Sequence, residues 1–254
     1  MSDRGARAPY GIAVVHGACG GIGSALVAHL INHQKFNTVV ATCRNAAHME
    51  HTAGHGSDAV ALVEMDATDE ASVHSAARQV ASLNLPISLM VCCIGMLHSA
   101  DSKPERRLMD VSANQMVESF MVNAIAPTLI LKAFFPLLVH SASPVIANLS
   151  AKVGSIADNR LGGWYSYRAS KCALNMLTTT AALELARRNP KAVCVAVHPG
   201  TVATTLSRPF TARLPSGQTR EPAVAAKQIV GVLEQLSVAD SGKFMAWNGD
   251  EIPW

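Results

Sequence analysis

The chain has 254 residues, 49% of them hydrophobic and 15% charged, so it can bury a sizeable core and is not a disordered polymer. A net charge of +3 without a basic run offers nucleic acid no electrostatic footprint. Six cysteines, at 19, 43, 92, 93, 172 and 194, lack zinc-ligand spacing, and neighbouring Cys92 and Cys93 do not readily bridge, so reduced thiols in a cytoplasmic protein are expected.

Residues 1–9 read as a flexible tail: they are basic, but the apolar run that follows is short and ends in glycines, unlike a signal peptide. "YGIAVVHG" is an apolar, β-branched run, the pattern of a buried strand. "GIGSALVAHLINHQ" has helical periodicity, "TVVATC" and "DAVALVEMD" are further strands, and "DEASVHSAARQVASL" is a helix opened by acidic residues. "ISLMVCCIG" is a fourth strand. "NQMVESFMVNAIAPTLILKAFFPLLV" is a long helix, expected to kink at Pro127. The longest uncharged stretch, Ala133 to Ala151, contains Pro136, His140, Pro144 and Asn148, and so reads as helix end, turn and strand, with no membrane span. After the strand "SPVIANLS" come the long helix "WYSYRASKCALNMLTTTAALELARR", the strand "KAVCVAVHPG", the helix "PAVAAKQIVGVLEQL" and a last strand "GKFMAW". Strands alternate with helices and several are apolar on both faces. This predicts a single-domain α/β Rossmann fold, a doubly wound, mostly parallel sheet of about seven strands with helices on both faces. Ligands of such sheets sit beyond the carboxyl ends of the strands.

The end of the first strand carries "HGACGGIG", which supplies Gly17, Gly21 and Gly23 between strand and helix. Such glycines permit a tight turn and let the backbone approach a pyrophosphate, which the helix N-terminus attracts. About 20 residues further on, an NAD binder offers an acid to the ribose 2′-hydroxyl. Here that position is Cys43, followed by Arg44. A guanidinium suits a 2′-phosphate, so NADP(H) is expected, with NAD(H) as the alternative. Asp66 ends the third strand, where it can accept from the adenine amine, cap the helix that begins near Asp69, or do both.

"YSYRASK" places Tyr167 one helical turn before Lys171, on the same face, whereas Tyr165 points elsewhere. An ammonium beside a phenol favours the phenolate, so Tyr167 is expected to have a lowered pKa and to exchange protons near neutrality. Asn123 is an amide within an apolar helix and needs a partner, for which a trapped water suffices.

The glycine turn, Asp66, Gly95, Asn123, Ser150, Tyr167, Lys171 and "HPGTVATTL" occur in the order of the short-chain dehydrogenase/reductase family, which the sequence resembles over nearly its whole length. "SAKVGSIADNRLGGWYSYRASKCALNM" and the ending "GDEIPW" are similar to the branch of sniffer-type carbonyl reductases and C-factor proteins. The resemblance implies roles. Tyr167 would protonate a carbonyl oxygen as hydride arrives, Lys171 would tune Tyr167 and hold the nicotinamide ribose, and Asn123 would anchor a water that relays protons through Lys171. A strand-five serine would bind the substrate oxygen. Cofactor contacts would come from Gly17, Cys19, Gly21, Ile22, Gly23, Arg44, Asp66, Ala67, Gly95, Tyr167 and Lys171, and from Pro199, Gly200, Thr201, Val202 and Thr204 after the sixth strand.

The sequence departs from that pattern in places. His16 replaces the usual threonine, and Cys92-Cys93-Ile94-Gly95 replaces Asn-Asn-Ala-Gly. Relatives carry Ser-Ser on the fifth strand with the second catalytic, but here the pair is Ser150-Ala151. Adjacent strand residues face opposite ways, so Ser150 serves only if the strand end twists; Ser155 is another source of a hydroxyl. Residues 203–221 read as a lid over the substrate, with Phe210 covering an apolar carbonyl compound, Trp164 lining the pocket or packing on the lid, and Arg208, Arg213 and Arg220 solvated or facing an anion. The expected activity is NADPH-dependent reduction of a ketone, aldehyde or quinone. The alternatives are a nucleotide-binding signalling protein with little turnover and, more remotely, a nucleotide-sugar epimerase or dehydratase. The partner is a small carbonyl compound, with no nucleic acid, membrane or metal. Association through the apolar surface of residues 115–139 would give a homodimer or homotetramer.

Overall fold

The computed structural model describes residues 10–45, 60–99, 102–140, 142–211 and 218–254. The expected tail at 1–9 and the centre of the expected lid at 212–217, which includes Arg213, lie outside the described residues.

Seven strands form one sheet: β1 (Tyr10–His16), β2 (Phe36–Cys43), β3 (Val60–Glu64), β4 (Ile87–Cys92), β5 (Val145–Leu149), β6 (Val193–His198) and β7 (Phe244–Ala246). Their spatial order is β3-β2-β1-β4-β5-β6-β7, and every pairing is parallel. The order reverses between β1 and β4, the switch point where a doubly wound sheet opens a ligand crevice.

The runs of Val, Ile and Ala form strands because both sheet faces are covered. On β1, Ile12 and Val14 pack with α2 (Glu70–Ala81), α4 (Ala126–Leu138) and α5 (Tyr165–Arg188). Ala13 and Val15 point the other way, onto α1 (Gly21–His33) and α7 (Pro222–Leu233). Leu26 and Leu30 of α1 meet Ile229 and Leu233 of α7 in that second layer. Cutting one of these leucines to alanine would cost about 2–5 kcal/mol. Two further helices are α3 (Ala113–Phe120), which packs on α5, and the short α6 (Arg208–Thr211), whose Phe210 meets Trp164.

The long helix expected over the apolar stretch is interrupted, but the cause is different from the one expected. A π-helical turn, Met121–Ile125, separates α3 from α4, closed by Ala126 N–H donating to the Met121 carbonyl. Pro127 sits in the first turn of α4, where a missing N–H costs no hydrogen bond. The run Ala113–Leu138 is long and apolar enough to cross a membrane. In this fold its second half, α4, packs on the sheet core, with Ile130, Phe134 and Leu138 fully buried.

The chain's end returns to the carboxyl side of the sheet. Trp254 stacks on Phe244 with ring centroids 5.7 Å apart, its carbonyl accepts from Ala157 N–H at 2.9 Å, and the Pro253 carbonyl accepts from Ser155 Oγ at 2.5 Å. The terminal "GDEIPW" therefore braces the loop that follows β5.

Candidate active site

The glycine turn after β1 is tight because its residues have no side chains to place. Gly17 has φ +77, and a Cβ on Gly23 would lie 2.3 Å from the Gly17 carbonyl oxygen. Gly20 is the N-cap of α1 and has no side chain to cap it, so the first N–H groups of the helix, at Gly21, Ile22 and Gly23, face the groove. An anion there would gain both those donors and the helix dipole. His16, just before the turn, is a core residue: its Nδ1 lies 3.0 Å from Thr42 Oγ1, its ring packs edge-on against Phe134, and burial pushes its pKa down to about 3.

At the ends of β2 and β3, Arg44 is exposed and lies close enough to Asp66 to act on its charge. Asp66 closes its own turn, its Oδ1 accepting from the Thr68 hydroxyl at 2.7 Å and the Thr68 N–H at 2.9 Å. Those bonds, and more weakly Arg44, hold its carboxyl below the usual range. The cap of α2 is Asp69, which accepts from Ala71 N–H at 3.0 Å. Of the two roles open to Asp66 in the sequence, helix capping belongs to its neighbour. Ala67 is buried beside it, and Cys19 is exposed on the glycine turn.

The helix α5 carries Tyr167 and Lys171 on one buried face, 9% and 2% exposed, while Tyr165 lies half outside, as its spacing predicts. The entry to this helix is unusual. Gly162, Gly163 and Trp164 have φ of +62, +66 and +53, three left-handed residues in succession. Two glycines adopt this freely, but Trp164 does not, and it needs support. Glu105, 2% exposed and arriving from the segment after β4, provides it. Its carbonyl accepts from Trp164 N–H at 2.5 Å, and its carboxylate accepts from the Ser166 hydroxyl and from Ser166 N–H at 3.2 Å. Arg168 adds bonds to the carbonyls of Gly163 at 2.9 Å and Val153 at 3.2 Å. A carboxylate at a helix N-terminus complements the dipole, so one acid both caps α5 and fixes Trp164.

The electrostatics of the pair differ from the expectation. The Lys171 ammonium donates to the Leu149 carbonyl at 2.8 Å and lies 5.9 Å from the centre of the Tyr167 ring. Burial pushes Lys171 down to about 8. Burial also raises Tyr167 above its ordinary value, and no charge offsets it. Helical spacing places a cation near the phenol, but desolvation of the phenolate dominates here. The Tyr167 hydroxyl has no hydrogen-bond partner among the described residues, so its proton is available to a ligand.

Asn123 is fully buried in the π-helical turn. Its Oδ1 accepts from Met96 N–H at 2.7 Å, and its Nδ2 donates to the Met96 carbonyl at 2.8 Å and towards Ser170 Oγ at 3.1 Å and Ser119 Oγ at 3.2 Å. The partner its amide needed is the backbone after β4, where the sequence argument had a trapped water. Gly95 lies in the same cluster: a Cβ there would stand 3.3 Å from Lys171 Nζ and 3.4 Å from Asn123 Oδ1.

Ser150 is 4% exposed and donates its hydroxyl to Asn175 Oδ1 at 2.6 Å. Asn175 continues the Tyr167–Lys171 stripe one more turn, about 12 Å along the axis from Tyr167 at 1.5 Å per residue. The single proton of Ser150 is thus directed at Asn175 of α5, and a substrate oxygen would have to compete with that amide for it. Ser155 is directed elsewhere too, donating to the Pro253 carbonyl. Ala151 has the opposite side-chain direction to Ser150 and offers no hydroxyl.

Beyond β6, Gly200 has φ +79 and lies under the Arg220 guanidinium, which stacks 3.4 Å above the Trp247 ring centre. Arg220 N–H donates to the Thr201 carbonyl at 2.9 Å, and its carbonyl accepts from Ala203 N–H at 2.8 Å, so Pro199–Thr204 is tied to the far end of the expected lid. Val202 is buried, and its carbonyl accepts from Ser207 Oγ. Thr204 reaches back to the start of α1, where a Cβ on Gly21 would lie 2.8 Å from its methyl. The β6 loop and the glycine turn therefore close on each other. Phe210 of α6 packs on Trp164 at 5.1 Å between centroids, and Trp164 on Tyr167 at 6.2 Å. Trp164 both contacts the lid and walls the tyrosine.

Three residues of this site escaped the sequence reading. His98, after β4, packs 5.9 Å from Phe210 with its Nε2 buried and unpartnered. Glu105 and Asn175 are the other two. Glu105 carries no local signal in the sequence, because it meets Ser166 from 61 positions away. A cavity of about 740 Å³ lies at the amino ends of β2, β4 and β5, lined by Phe36, Leu89, Val145 and Leu233, on the far side of the sheet from Tyr167.

This fold, with a glycine turn at the switch point and a buried tyrosine–lysine face beside it, defines a class. The chain belongs to the short-chain dehydrogenase family, which it matches over residues 11–214, and it is an oxidoreductase of that family. It is 34% identical over 145 residues to the C-signal protein of Myxococcus xanthus, covering 57% of this chain and 82% of that protein. It is 26% identical over 248 residues to an uncharacterized oxidoreductase of Schizosaccharomyces pombe, 92% of this chain and 94% of the other. The NADPH-bound carbonyl reductase from chicken fatty liver has a TM-score of 0.85 and 29% identity over 97% of this chain and 95% of its own. The carbonyl reductase Sniffer of D. melanogaster, at 23% identity, shares the fold with a TM-score of 0.84 over 97% of this chain and all of its own.

Proposed function

We propose that the protein is an NADPH-dependent carbonyl reductase in which Tyr167 is the general acid. The observation that carries this reading is the buried Tyr167–Lys171 face, its hydroxyl unpartnered, beside an uncapped helix N-terminus. The residues fit a dinucleotide: the N–H groups of Gly21–Gly23 suit a pyrophosphate, Asp66 suits the adenine amine and Arg44 a 2′-phosphate. The bound cofactor supplies hydride to the carbonyl carbon. Tyr167, kept protonated by burial, gives its proton to the carbonyl oxygen, and the Lys171 ammonium, one helical turn on, holds the nicotinamide ribose. Trp164, Phe210 and His98 exclude water and select a substrate that is apolar around its carbonyl with a polar group for His98 Nε2. Exposed Val117, Met176 and Leu183 on α3 and α5 favour self-association through those helices.

The test is NADPH oxidation against a panel of ketones, aldehydes and quinones. Turnover of a bulky apolar carbonyl compound is expected, and none across all three classes would count against the reading. A second reading, a dinucleotide-binding protein with little turnover, draws on the Ser150 proton directed at Asn175 and on the C-signal likeness. It predicts tight NADPH binding in that same panel without oxidation.

A further inference from the structure

Cys19 and Cys43 come together at one corner of the groove. Cys19 is exposed in the glycine turn and Cys43 is buried at the end of β2. The two segments are joined just before them, where Gly17 N–H and Ala18 N–H both donate to the Thr42 carbonyl at 3.0 Å. Both thiols then donate to one acceptor, the Asn45 carbonyl, Cys43 at 3.1 Å and Cys19 at 3.8 Å. The two thiols are close enough that Cys43 acts on the ionisation of Cys19. A disulfide needs Cα atoms about 4.4–6.8 Å apart, and closure here would draw together two thiols that already share one carbonyl acceptor.

We propose that Cys19 and Cys43 form an oxidisable dithiol, and that its closure to a disulfide blocks the adenosine end of the cofactor groove. The bond itself rests on the geometry above, while its effect on cofactor rests on the function proposed here. With peroxide as oxidant, Cys19 Sγ attacks one oxygen, the O–O bond breaks, and a sulfenic acid and water result. Cys43 Sγ then attacks the Cys19 sulfur, the S–O bond breaks, and the departing hydroxide takes the Cys43 proton as a second water. Each peroxide accepts two electrons, and each thiol gives up one hydrogen. With glutathione disulfide as oxidant, two exchanges release two glutathione thiols instead.

Burial and the Cys43 thiol push Cys19 up to about 12. Attack through the Cys19 thiolate therefore accelerates as pH rises. Exposure of Cys19 lets oxidant reach it first, and Cys43 then resolves it from below. The bridge would tether the residue ahead of Gly20 and Gly21 to the residue before Arg44, drawing the turn across the space that a ribose phosphate needs. Coupling is reciprocal, so bound NADPH should protect the pair by the same factor that the disulfide weakens binding, about tenfold or more.

The test treats the full chain with hydrogen peroxide or glutathione disulfide, alkylates the remaining thiols and maps peptides by mass. A cross-linked Cys19–Cys43 peptide that dithiothreitol reverses and NADPH suppresses is expected. Fluorescence titration should show NADPH binding weakened in the oxidised protein and restored by reduction. In Cys43→Ser, oxidation should stop at a sulfenic acid or a glutathione adduct on Cys19. Cys19→Ser provides the same loss of cross-link should the first variant fail to fold. Single modification of Cys19 in the wild type, with no cross-linked peptide, overturns the proposal. A reduced protein that binds neither NADPH nor NADH overturns the cofactor reading and the blocking effect, while peptide mapping still decides the disulfide.

Discussion

Lys171 is a buried cation of the candidate site, and its stability linkage can be read without a cofactor or a substrate. The lysine is 2% exposed, with one strong bond to the Leu149 carbonyl, and burial lowers its pKa from 10.5 to about 8. The sign follows from proton counts. Between pH 8 and 10.5 the unfolded chain holds the proton that the folded chain has lost, so raising the pH favours the fold across that window. Below pH 8 both states are protonated and the penalty of the buried charge is fully present. At about 1.36 kcal/mol per pH unit of separation, the penalty is roughly 3 kcal/mol. Lys171→Met has no such group. Urea unfolding of both proteins, followed by circular dichroism from pH 7 to pH 10.5, cancels the groups they share. The wild type should gain about 3 kcal/mol on the variant over that range. A difference that stays flat with pH would mean that Lys171 titrates normally and that its burial is wrongly described.

Arg44→Ala should weaken NADPH binding far more than NADH binding in a fluorescence titration, because only NADPH carries the 2′-phosphate; equal losses remove that role. Glu105→Ala should lower stability by about 1–3 kcal/mol in urea, since it strips an acceptor from a buried cap. It should also lower kcat more than it raises KM, with Glu105→Gln partly restoring both; equal kcat in all three proteins would show that Trp164 needs no such clamp. Ala151→Ser restores a hydroxyl on the side opposite Ser150, and kcat should rise, by up to about a hundredfold if one oxyanion donor was missing. An unchanged rate would show that another donor already fills that place.

The strands were legible because both faces of this sheet are covered, which leaves unbroken Val, Ile and Ala runs such as "GIAVV" with nothing else to become. The glycine turn and the Tyr167–Lys171 spacing were legible because backbone approach and helical period restrict which residues fit. What stayed hidden depends on distant partners. The π-helical turn at Met121–Ile125 carries no residue signature, and the proline beside it drew attention instead. The pKa of Tyr167 was misjudged because helical spacing reports a nearby cation but says nothing of the burial that outweighs it. Ser150 faces Asn175, 25 positions later, and Glu105 caps Ser166 from 61 positions away; no local pattern announces either pairing.

The central claim is that the unpartnered hydroxyl of Tyr167 delivers the proton while its ring and neighbours merely wall the site. Tyr167→Phe removes that one oxygen and leaves the packing against Trp164. Single-turnover reduction of a substrate found in the panel, measured alongside NADPH affinity, separates chemistry from binding. Loss of hydride transfer with the dissociation constant of NADPH unchanged is the predicted result. Reduction at the wild-type rate in Tyr167→Phe would contradict it.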